Sequence, residues 1–195
     1  MQTKTKRFFD ILFSGLVLFL FSWLLLLAWL LAVLDTKTNG IFIQERIGQY
    51  GKKFNIYKLR TIQTTLHLQE LPISRMGQLL RDYKLDELPQ LLNVCKGDMS
   101  IVGPRPDVAG YYDRLEGESR KILELKPGLT SLASLKYYNE DVLLKKQSNP
   151  LDYNDTVLFP DKVRLNLEYY YHQSFLVDFK IIFQTVIFFI NRVVK

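Results

Sequence analysis

The chain has 195 residues and a formal net charge of +6, a length that suits one domain with its own buried core and leaves little room for a second. Hydrophobic residues make up 48% of it, and together with the positive charge this favours a protein held against an anionic surface over a free acidic enzyme. The single cysteine, Cys95, excludes an internal disulfide and any zinc site built from several cysteines.

Residues 11–34 form an uncharged apolar stretch, ILFSGLVLFLFSWLLLLAWLLAVL. At ~1.5 Å per residue, a helix of this length measures roughly 36 Å, which is enough to cross a bilayer. The stretch is longer than the apolar part of a signal peptide, and no A-x-A cleavage pattern follows it, so we expect it to be retained. We therefore predict an N-terminal membrane-embedded helix within residues 1–36.

Both flanks of this stretch are rich in lysine and arginine. Lys4, Lys6 and Arg7 precede it, and further cations follow it between residues 37 and 60. A spanning helix normally leaves one flank poorer in such residues, so the pattern favours a re-entrant segment that turns back inside the bilayer with both ends in the cytoplasm. A helix that spans the membrane once is the alternative.

The remaining residues, 37–195, have the composition of one soluble domain, which we predict to be α+β, mostly helical with a few short strands. Residues 53–61, KFNIYKLRT, have the aromatic and β-branched content of a short strand. A period of two places Lys58 and Arg60 on the same face. These cations indicate either an anion site or a charged strand edge against lipid head groups.

Residues 74–83, SRMGQLLRDY, predict a helix with Met76, Leu79 and Leu80 turned inward and Arg81 on the polar face.

A second helix follows in the stretch KLDELPQLLNVCKG. Proline is tolerated only in the first turn of a helix, so Pro89 places the start at about Leu85 to Glu87, and Gly97 marks the end. Asp86 then lies at a helix N-terminus, where unpaired N–H groups and the helix dipole favour an ionised carboxylate and also a bound phosphate. From position alone, the acidic pair is either a helix cap or a catalytic pair.

The stretch GDMSIVGPRP follows this helix and ends in a Gly-Pro-Arg-Pro turn. Its two prolines restrain Arg105. A restrained arginine suits recognition of phosphate through two parallel hydrogen bonds, although a surface turn with an incidental arginine has the same sequence.

The C-terminal residues, about 175–195, predict an amphipathic helix. At about 100° per residue, Asp178, Lys180 and Thr185 fall on one half of the helical wheel, opposite an apolar face that includes Phe183. Such a helix lies in the lipid head-group layer or covers the core of the domain, and we favour the interfacial position.

Several of these segments together resemble the bacterial sugar transferases, also called monotopic phosphoglycosyltransferases, which pass a phospho-sugar from a nucleotide diphosphate sugar to a polyprenyl phosphate. The resemblance covers nearly the whole chain and is carried by KRFFDILFSGLVL, FIQERIGQYGKKFNIYKLRT, LRDYKLDELPQLLNVCKGDMSIVGPRP, KPGLTS and SFLVDFKIIFQTV. The central block, with adjacent Asp and Glu ahead of N-V-x-K-G-D-M-S-x-V-G-P-R-P, is the most specific of these and favours catalysis over capping.

The resemblance implies a role for each residue of the site. Asp86 is expected to be the nucleophile and a Mg²⁺ ligand, with Glu87 as its partner acid. The phosphates are expected to lie among cations, namely Lys58, Arg60, Arg81 and Arg105. Such cations and Mg²⁺ offset the negative charge that a carboxylate meets when it attacks a diphosphate.

The expected reaction has two displacements, first an aspartyl phospho-sugar with release of uridine monophosphate, then transfer to undecaprenyl phosphate or a similar polyprenyl phosphate. The resemblance also implies a place in the bacterial inner membrane, with the catalytic domain on the cytoplasmic face and in contact with membrane lipids. It implies the first membrane step of capsule, O-antigen, exopolysaccharide or glycoprotein glycan assembly. A homodimer is compatible with the sequence.

The chain departs from the family pattern at two places that matter for these expectations. Relatives usually have a Ser-Pro break in the membrane segment, whereas here Trp23 follows Ser22; a serine that bonds back to a helix carbonyl also favours a kink. The usual Gly-Trp-Ala-Gln run after KPGLT is replaced by SLAS, residues 131–134, and an insert-like stretch follows over residues 135–155. The identity of the sugar is therefore left open.

A membrane-anchored assembly or interaction protein, in which the acidic pair only caps a helix, is the alternative to the enzyme. Nucleic acid is not expected as a partner, because no recognition motif accompanies the positive charge.

Overall fold

A computed structural model describes residues 4–63 and 73–193. The first three residues and the last two of the predicted C-terminal helix lie outside the described part, as do residues 64–72. Its α-helices are α1 (Lys4–Leu20), α2 (Ser22–Thr36), α3 (Arg75–Asp82), α4 (Gln90–Lys96), α5 (Leu132–Lys136), α6 (Glu140–Lys145), α7 (Pro150–Tyr153), α8 (Phe159–His172) and α9 (Phe175–Val193). Its strands are β1 (Ile41–Ile47), β2 (Lys53–Leu59), β3 (Ser100–Val102) and β4 (Gly128–Thr130). This composition confirms the α+β, mostly helical class.

The N-terminal apolar segment is a bent pair of helices. Helices α1 and α2 meet at an angle of 67°. No single helix in the described ranges is long and apolar enough to cross a membrane, whereas the bent pair has sufficient length and apolar composition when its two helices are taken together. At the break, Phe21 leaves the helical conformation and the Ser22 hydroxyl donates to the Phe19 carbonyl at 2.9 Å. The kink predicted from Ser22 is confirmed, and it forms without a proline.

Polar side chains fasten α1 to the rest of the chain. The Arg7 guanidinium donates to the carbonyls of Val94 and Cys95 in the last turn of α4, at 2.6 and 2.8 Å. A cation is favourable there because the last carbonyls of a helix lack intrahelical partners. The fully buried Asp10 accepts from the Ser100 hydroxyl at 2.8 Å and from the Ile101 N–H at 3.3 Å. The base of the membrane segment is thus joined to α4 and β3.

Strands β1 and β2 form an antiparallel hairpin in which Phe42 lies opposite Lys58. The strand predicted over 53–61 is confirmed for Lys53–Leu59, but it ends there, so Arg60 follows the strand instead of extending its face. The Arg60 guanidinium lies over the Phe42 ring, 5.6 Å from its centroid.

Helix α3 begins at Arg75, one residue after the predicted start, because the Ser74 hydroxyl accepts from the Gly77 N–H at 2.9 Å and caps the helix. Leu80 is fully buried, as predicted, but Leu79 is exposed, so its predicted inward position is wrong. Gly77 decides which face turns inward, since a Cβ at that position would lie 2.4 Å from the Thr61 carbonyl oxygen. Only a face centred on Gly77 and Leu80 fits against this backbone.

The second predicted helix is present as a 3₁₀ turn, Leu85–Glu87, that leads into α4. Pro89 precedes the first residue of α4, and Gly97 ends the helix with a φ of 102°. The stop predicted at Gly97 is confirmed, but the α-helix begins at Gln90 and not at the predicted Leu85 to Glu87, because the residues ahead of Pro89 form the 3₁₀ turn.

Asn93 ties α4 to the hairpin. Its side chain is fully buried, donates to the Asn55 carbonyl at 2.7 Å and accepts from the Tyr57 N–H at 3.2 Å. The acidic turn and the strand that carries Lys58 are therefore held at a fixed distance from each other.

The Gly-Pro-Arg-Pro turn follows β3, which pairs in parallel with β4. Gly103 and Gly128 approach so closely that a Cβ on Gly128 would lie 2.1 Å from the Gly103 nitrogen. The Gly128 N–H then donates to the Pro104 carbonyl at 2.8 Å. Only glycine permits this approach, and the resulting contact fixes the residue that precedes Arg105.

Helix α9 packs on the domain along a line that includes Asp178, Ile181 and Thr185. Asp178 is buried because Lys6 and Tyr169 both donate to its carboxylate. The polar half of the predicted wheel therefore does not all face solvent. Its apolar half does lie at the surface, with Leu176 80% exposed and Phe183 57% exposed, the arrangement expected of an interfacial helix.

We expect Asn93→Ala to lower the free energy of unfolding by about 2–4 kcal/mol, because it leaves the Tyr57 N–H and the Asn55 carbonyl buried without partners. Denaturant unfolding of the detergent-solubilised protein measures the change. The control is Leu92→Ala, the exposed neighbour on α4. Equal losses for the two variants would contradict the role given to Asn93.

Candidate active site

Asp86 and Glu87 lie side by side on the 3₁₀ turn between α3 and α4. Both residues are buried, at 8% and 7% exposure. Carboxylates are seldom buried unless another group pairs with them. Among the described residues, Glu87 is paired with cations, whereas the Oδ1 of Asp86 has no partner.

Glu87 is fully engaged by two cations. Arg105 binds it through two nitrogens, Nη2 to Oε1 at 2.6 Å and Nη1 to Oε2 at 3.2 Å, and the Lys58 ammonium lies 3.1 Å from Oε1. Burial alone raises the pKa of Glu87, but the adjacent charges of Arg105 and Lys58 outweigh it and hold the pKa well below its usual range. Glu87 is therefore a permanent anion that holds two cations in place.

Asp86 makes no such bonds. Its Oδ1 is buried and has no hydrogen-bond partner within the described residues, and the residue at the N-cap position of the turn is Lys84, not Asp86. Burial and the neighbouring Glu87 charge raise the pKa of Asp86 to about 6. The interpretation of Asp86 as an ordinary helix cap is wrong, because a cap accepts a backbone N–H bond and this oxygen accepts none.

Three cations act on Asp86, since the charges of Lys58, Lys84 and Arg81 all lower its pKa. Lys58 extends from β2 with its side chain 16% exposed, and burial lowers its pKa. The Arg81 side chain is held in place by Thr61, because its Nε donates to the Thr61 hydroxyl at 2.8 Å. The structure thus brings together Lys58, Arg81, Arg105 and the acidic pair, as the resemblance implied.

Arg60 follows the end of β2, and its guanidinium lies over Phe42, the residue opposite Lys58 in the hairpin. Its recorded contacts are the Phe42 ring and the Ile41 carbonyl, 3.5 Å from Nη2. Its role at the phosphates stays a prediction that no contact in the described ranges supports.

The structure adds two cations to the site that the sequence did not single out. Lys84 acts on both Asp86 and Glu87 and adopts a left-handed conformation with φ 54°, which is uncommon for a residue other than glycine. Its ammonium lies over the Tyr138 ring, 5.2 Å from the centroid. The second is Arg46 on β1, whose charge acts on Arg105 and Glu87. A period of two along β1, paired in register with β2, is the signal that identifies Arg46.

The stretch that replaces the usual family loop is helical. Ser131 accepts from the Ser134 N–H at 2.9 Å and caps α5, and residues 135–155 continue through α6 and α7. Tyr138 brings this stretch to Lys84, and Glu140 lies near enough to Arg105 to raise its pKa. The insert-like stretch therefore borders the acidic turn.

A divalent metal fits the donor set at Asp86. Among the residues that the structure describes, no group of three or more His, Cys, Asp and Glu side chains forms a closed metal cage. Mg²⁺ is commonly held by one or two carboxylates together with substrate phosphates. The unpartnered Oδ1 of Asp86 is a donor of this kind.

Comparison with known proteins identifies the family of this chain. Residues 1–192 match the family described as bacterial sugar transferase. The UDP-glucose:undecaprenyl-phosphate glucose-1-phosphate transferase of Caulobacter vibrioides is 34% identical over 195 residues, covering 93% of this chain and 68% of the relative. An uncharacterized sugar transferase of Bacillus subtilis is 32% identical over 187 residues, covering 93% of this chain and 85% of the relative.

A third relative is longer. The UDP-N-acetylgalactosamine-undecaprenyl-phosphate N-acetylgalactosaminephosphotransferase of Aeromonas hydrophila is 28% identical over 194 residues, covering 93% of this chain and 42% of the relative. The family match extends over almost the whole chain and includes the acidic turn, Lys58 and the Gly-Pro-Arg-Pro turn. This chain is an enzyme of the bacterial sugar transferase family.

Proposed function

We propose that this enzyme transfers a sugar phosphate from a uridine diphosphate sugar to undecaprenyl phosphate through a covalent intermediate on Asp86. The observation that carries the proposal is the contrast between two adjacent buried carboxylates. Glu87 is ion-paired with Lys58 and Arg105, whereas Asp86 has a buried oxygen without a partner. An anion that is desolvated and unbonded is the better nucleophile of the two. The relatives whose names specify a substrate support the choice of the nucleotide sugar and the lipid.

The first displacement forms a bond between an Asp86 oxygen and the sugar-bearing phosphorus. The bond from that phosphorus to the bridging oxygen breaks, and its electron pair leaves on uridine monophosphate. No proton is exchanged, since Asp86 enters as a carboxylate. Lys58, Arg81 and Lys84 lie around this carboxylate and offset the charge that accumulates at the phosphates.

In the second displacement, an oxygen of the lipid phosphate bonds to the phosphorus of the aspartyl intermediate. The bond from phosphorus to Asp86 breaks, its electron pair returns to the carboxylate, and a polyprenyl diphosphate sugar is formed. A phosphate monoester has a second pKa of about 6, so the lipid phosphate arrives at neutral pH largely as a dianion. This step therefore needs no protein base.

Glu87 accordingly acts as a positioning residue. A general base needs a pKa near the working pH, whereas Arg105 and Lys58 hold the pKa of Glu87 well below its usual range. Its bidentate contact instead orients the Arg105 guanidinium toward a site where phosphates bind.

Mg²⁺ fits the same scheme as a cofactor held by Asp86 and by the substrate phosphates. When bound, it would offset negative charge on the diphosphate.

A re-entrant, monotopic position in the bacterial inner membrane accords with the bent helix pair. The bend of 67° between α1 and α2 supports a segment that enters and leaves the same leaflet. Large apolar side chains point outward from these helices, such as Phe19 at 79% exposure and Leu34 at 74%. The catalytic domain then lies on the cytoplasmic face, where nucleotide sugars are available, and performs the first membrane step of a cell-envelope glycan.

The covalent intermediate gives the most direct test. With a uridine diphosphate sugar and no lipid, intact-protein mass spectrometry should show an adduct of one phospho-sugar, which undecaprenyl phosphate should discharge. Asp86→Asn should abolish adduct and turnover, because an amide is not an anionic nucleophile. The control Asp152→Asn changes an exposed aspartate on α7 and should behave as the parent does. An adduct of undiminished yield in Asp86→Asn would exclude Asp86 as the nucleophile.

The rate of adduct formation should rise with pH through about 6 and level off above it. Asp86 must be ionised to attack, and burial raises its pKa to about 6. Quenched-flow measurements between about pH 4.5 and 8 give this profile. Lys58→Gln should move the inflection to higher pH, because the Lys58 charge lowers the pKa of Asp86. A profile that is flat across this range would contradict the assignment.

The topology can be tested by labelling cysteines with a membrane-impermeant maleimide. In a Cys95→Ser background, Thr5→Cys and Glu116→Cys should both resist the reagent in intact spheroplasts and react after lysis. Both positions are exposed, one on α1 and one in the domain. Labelling of Thr5→Cys from outside the spheroplast would show instead that the segment crosses the membrane.

A further inference from the structure

The hairpin register places a second cation on the face that carries Lys58. In an antiparallel pair, residues opposite each other share a face, and so do residues two apart along a strand. Phe42 lies opposite Lys58 and Phe54 opposite Arg46. Arg46 therefore shares the face of Lys58, while Lys53 lies on the other face.

A backbone bond brings Arg46 close to Arg105. The Ile47 N–H donates to the Asp107 carbonyl at 2.9 Å, which joins the end of β1 to the loop two residues beyond Arg105. Arg46 directly precedes this junction. The proximity of Arg105 also affects the pKa of Arg46. Burial lowers this pKa, and the positive charge of Arg105 lowers it further. Two like charges are thus held near each other.

The protein leaves part of the Arg46 guanidinium unsatisfied. One nitrogen donates to the Gln44 amide oxygen at 2.7 Å, and another forms an ion pair with Asp107 at 3.6 Å, a distance longer than a hydrogen bond. The Nε is buried and has no partner within the described residues. An orphaned, buried, charged donor is costly. The side chain is 19% exposed, so an anion in the site has access to it.

The contacts of the described residues place Arg46 on the Glu87 side of the acidic pair. Lys58 and Arg105 both bond to Glu87, and Arg46 shares the sheet face of Lys58 and adjoins the loop that follows Arg105. Besides burial, the charges that shift the pKa of Arg46 are those of Asp107, Arg105 and Glu87. A diphosphate with its attacked phosphorus at Asp86 that extends past Glu87 would therefore bring its second phosphate toward Arg46.

We propose that Arg46 is a further substrate-binding residue, which holds the phosphate that stays on the nucleoside and leaves as uridine monophosphate. This inference rests on the proposed function. The proposal gives the site two parts. The cations around Asp86 bind the transferred phosphate, which is present in both displacements. Arg46 serves only the displacement in which the nucleotide takes part.

The test separates the two half-reactions. Arg46→Gln should weaken inhibition by uridine monophosphate roughly 10- to 100-fold, the effect of losing hydrogen bonds from a charged group. It should slow adduct formation at low nucleotide sugar by a similar factor. The adduct, once formed and freed of nucleotide, should discharge to undecaprenyl phosphate at close to the parent rate. Lys53→Gln removes one positive charge from the opposite face of the hairpin and should change none of these quantities.

A parent-like inhibition constant for uridine monophosphate in Arg46→Gln would overturn the inference. So would equal slowing of both half-reactions together with a lower unfolding temperature, which would assign Arg46 a structural role. Arg46→Lys provides a second variant that keeps the charge, and we expect it to recover part of the nucleotide affinity. Absence of any adduct in the parent enzyme would instead overturn the proposed function, because binding of uridine monophosphate is measurable without the covalent step.

Discussion

The ion pair of Glu87 with Arg105 and Lys58 is the interaction on which the site depends. It joins three segments that are distant in the sequence, namely the β1–β2 hairpin, the acidic turn and the Gly-Pro-Arg-Pro turn. A buried carboxylate that lost either cation would be strongly destabilising, so the three segments are held to one arrangement. The same contact keeps Glu87 ionised, whereas the Oδ1 of Asp86 has no hydrogen-bond partner in the part of the chain that the structure describes.

This arrangement gives two adjacent residues different chemistry through their surroundings alone. Asp86 and Glu87 are equally buried, yet only Glu87 receives direct bonds from cations. Desolvation without compensation raises the pKa of Asp86 to about 6, close enough to neutrality for the carboxylate to be ionised in the cell. Such a group is poorly solvated and reactive, whereas Glu87 is a fixed structural charge.

The membrane segment is part of the same framework. Arg7 of α1 binds the last carbonyls of α4, and Asp10 binds the start of β3. Helix α4 follows the acidic turn, and β3 leads to the turn that carries Arg105. The position of α1 is thereby linked to the position of the acidic turn and of Arg105.

The sequence by itself determined the local features of this protein. Pro89 and Gly97 bounded the helix after the acidic pair, Ser22 marked the bend in the apolar segment, and alternation along KFNIYKL predicted β2, because turn chemistry and side-chain period depend only on neighbouring residues. The family block also identified Asp86, Glu87 and Arg105. Only the tertiary structure decided which cations reach the carboxylates, since that depends on segments that meet after folding. Strand β2 ends at Leu59 and leaves Arg60 over an aromatic ring, while the pairing of β1 with β2 adds Arg46. The contrast between Asp86 and Glu87 likewise arises from burial and pairing, which no local pattern encodes.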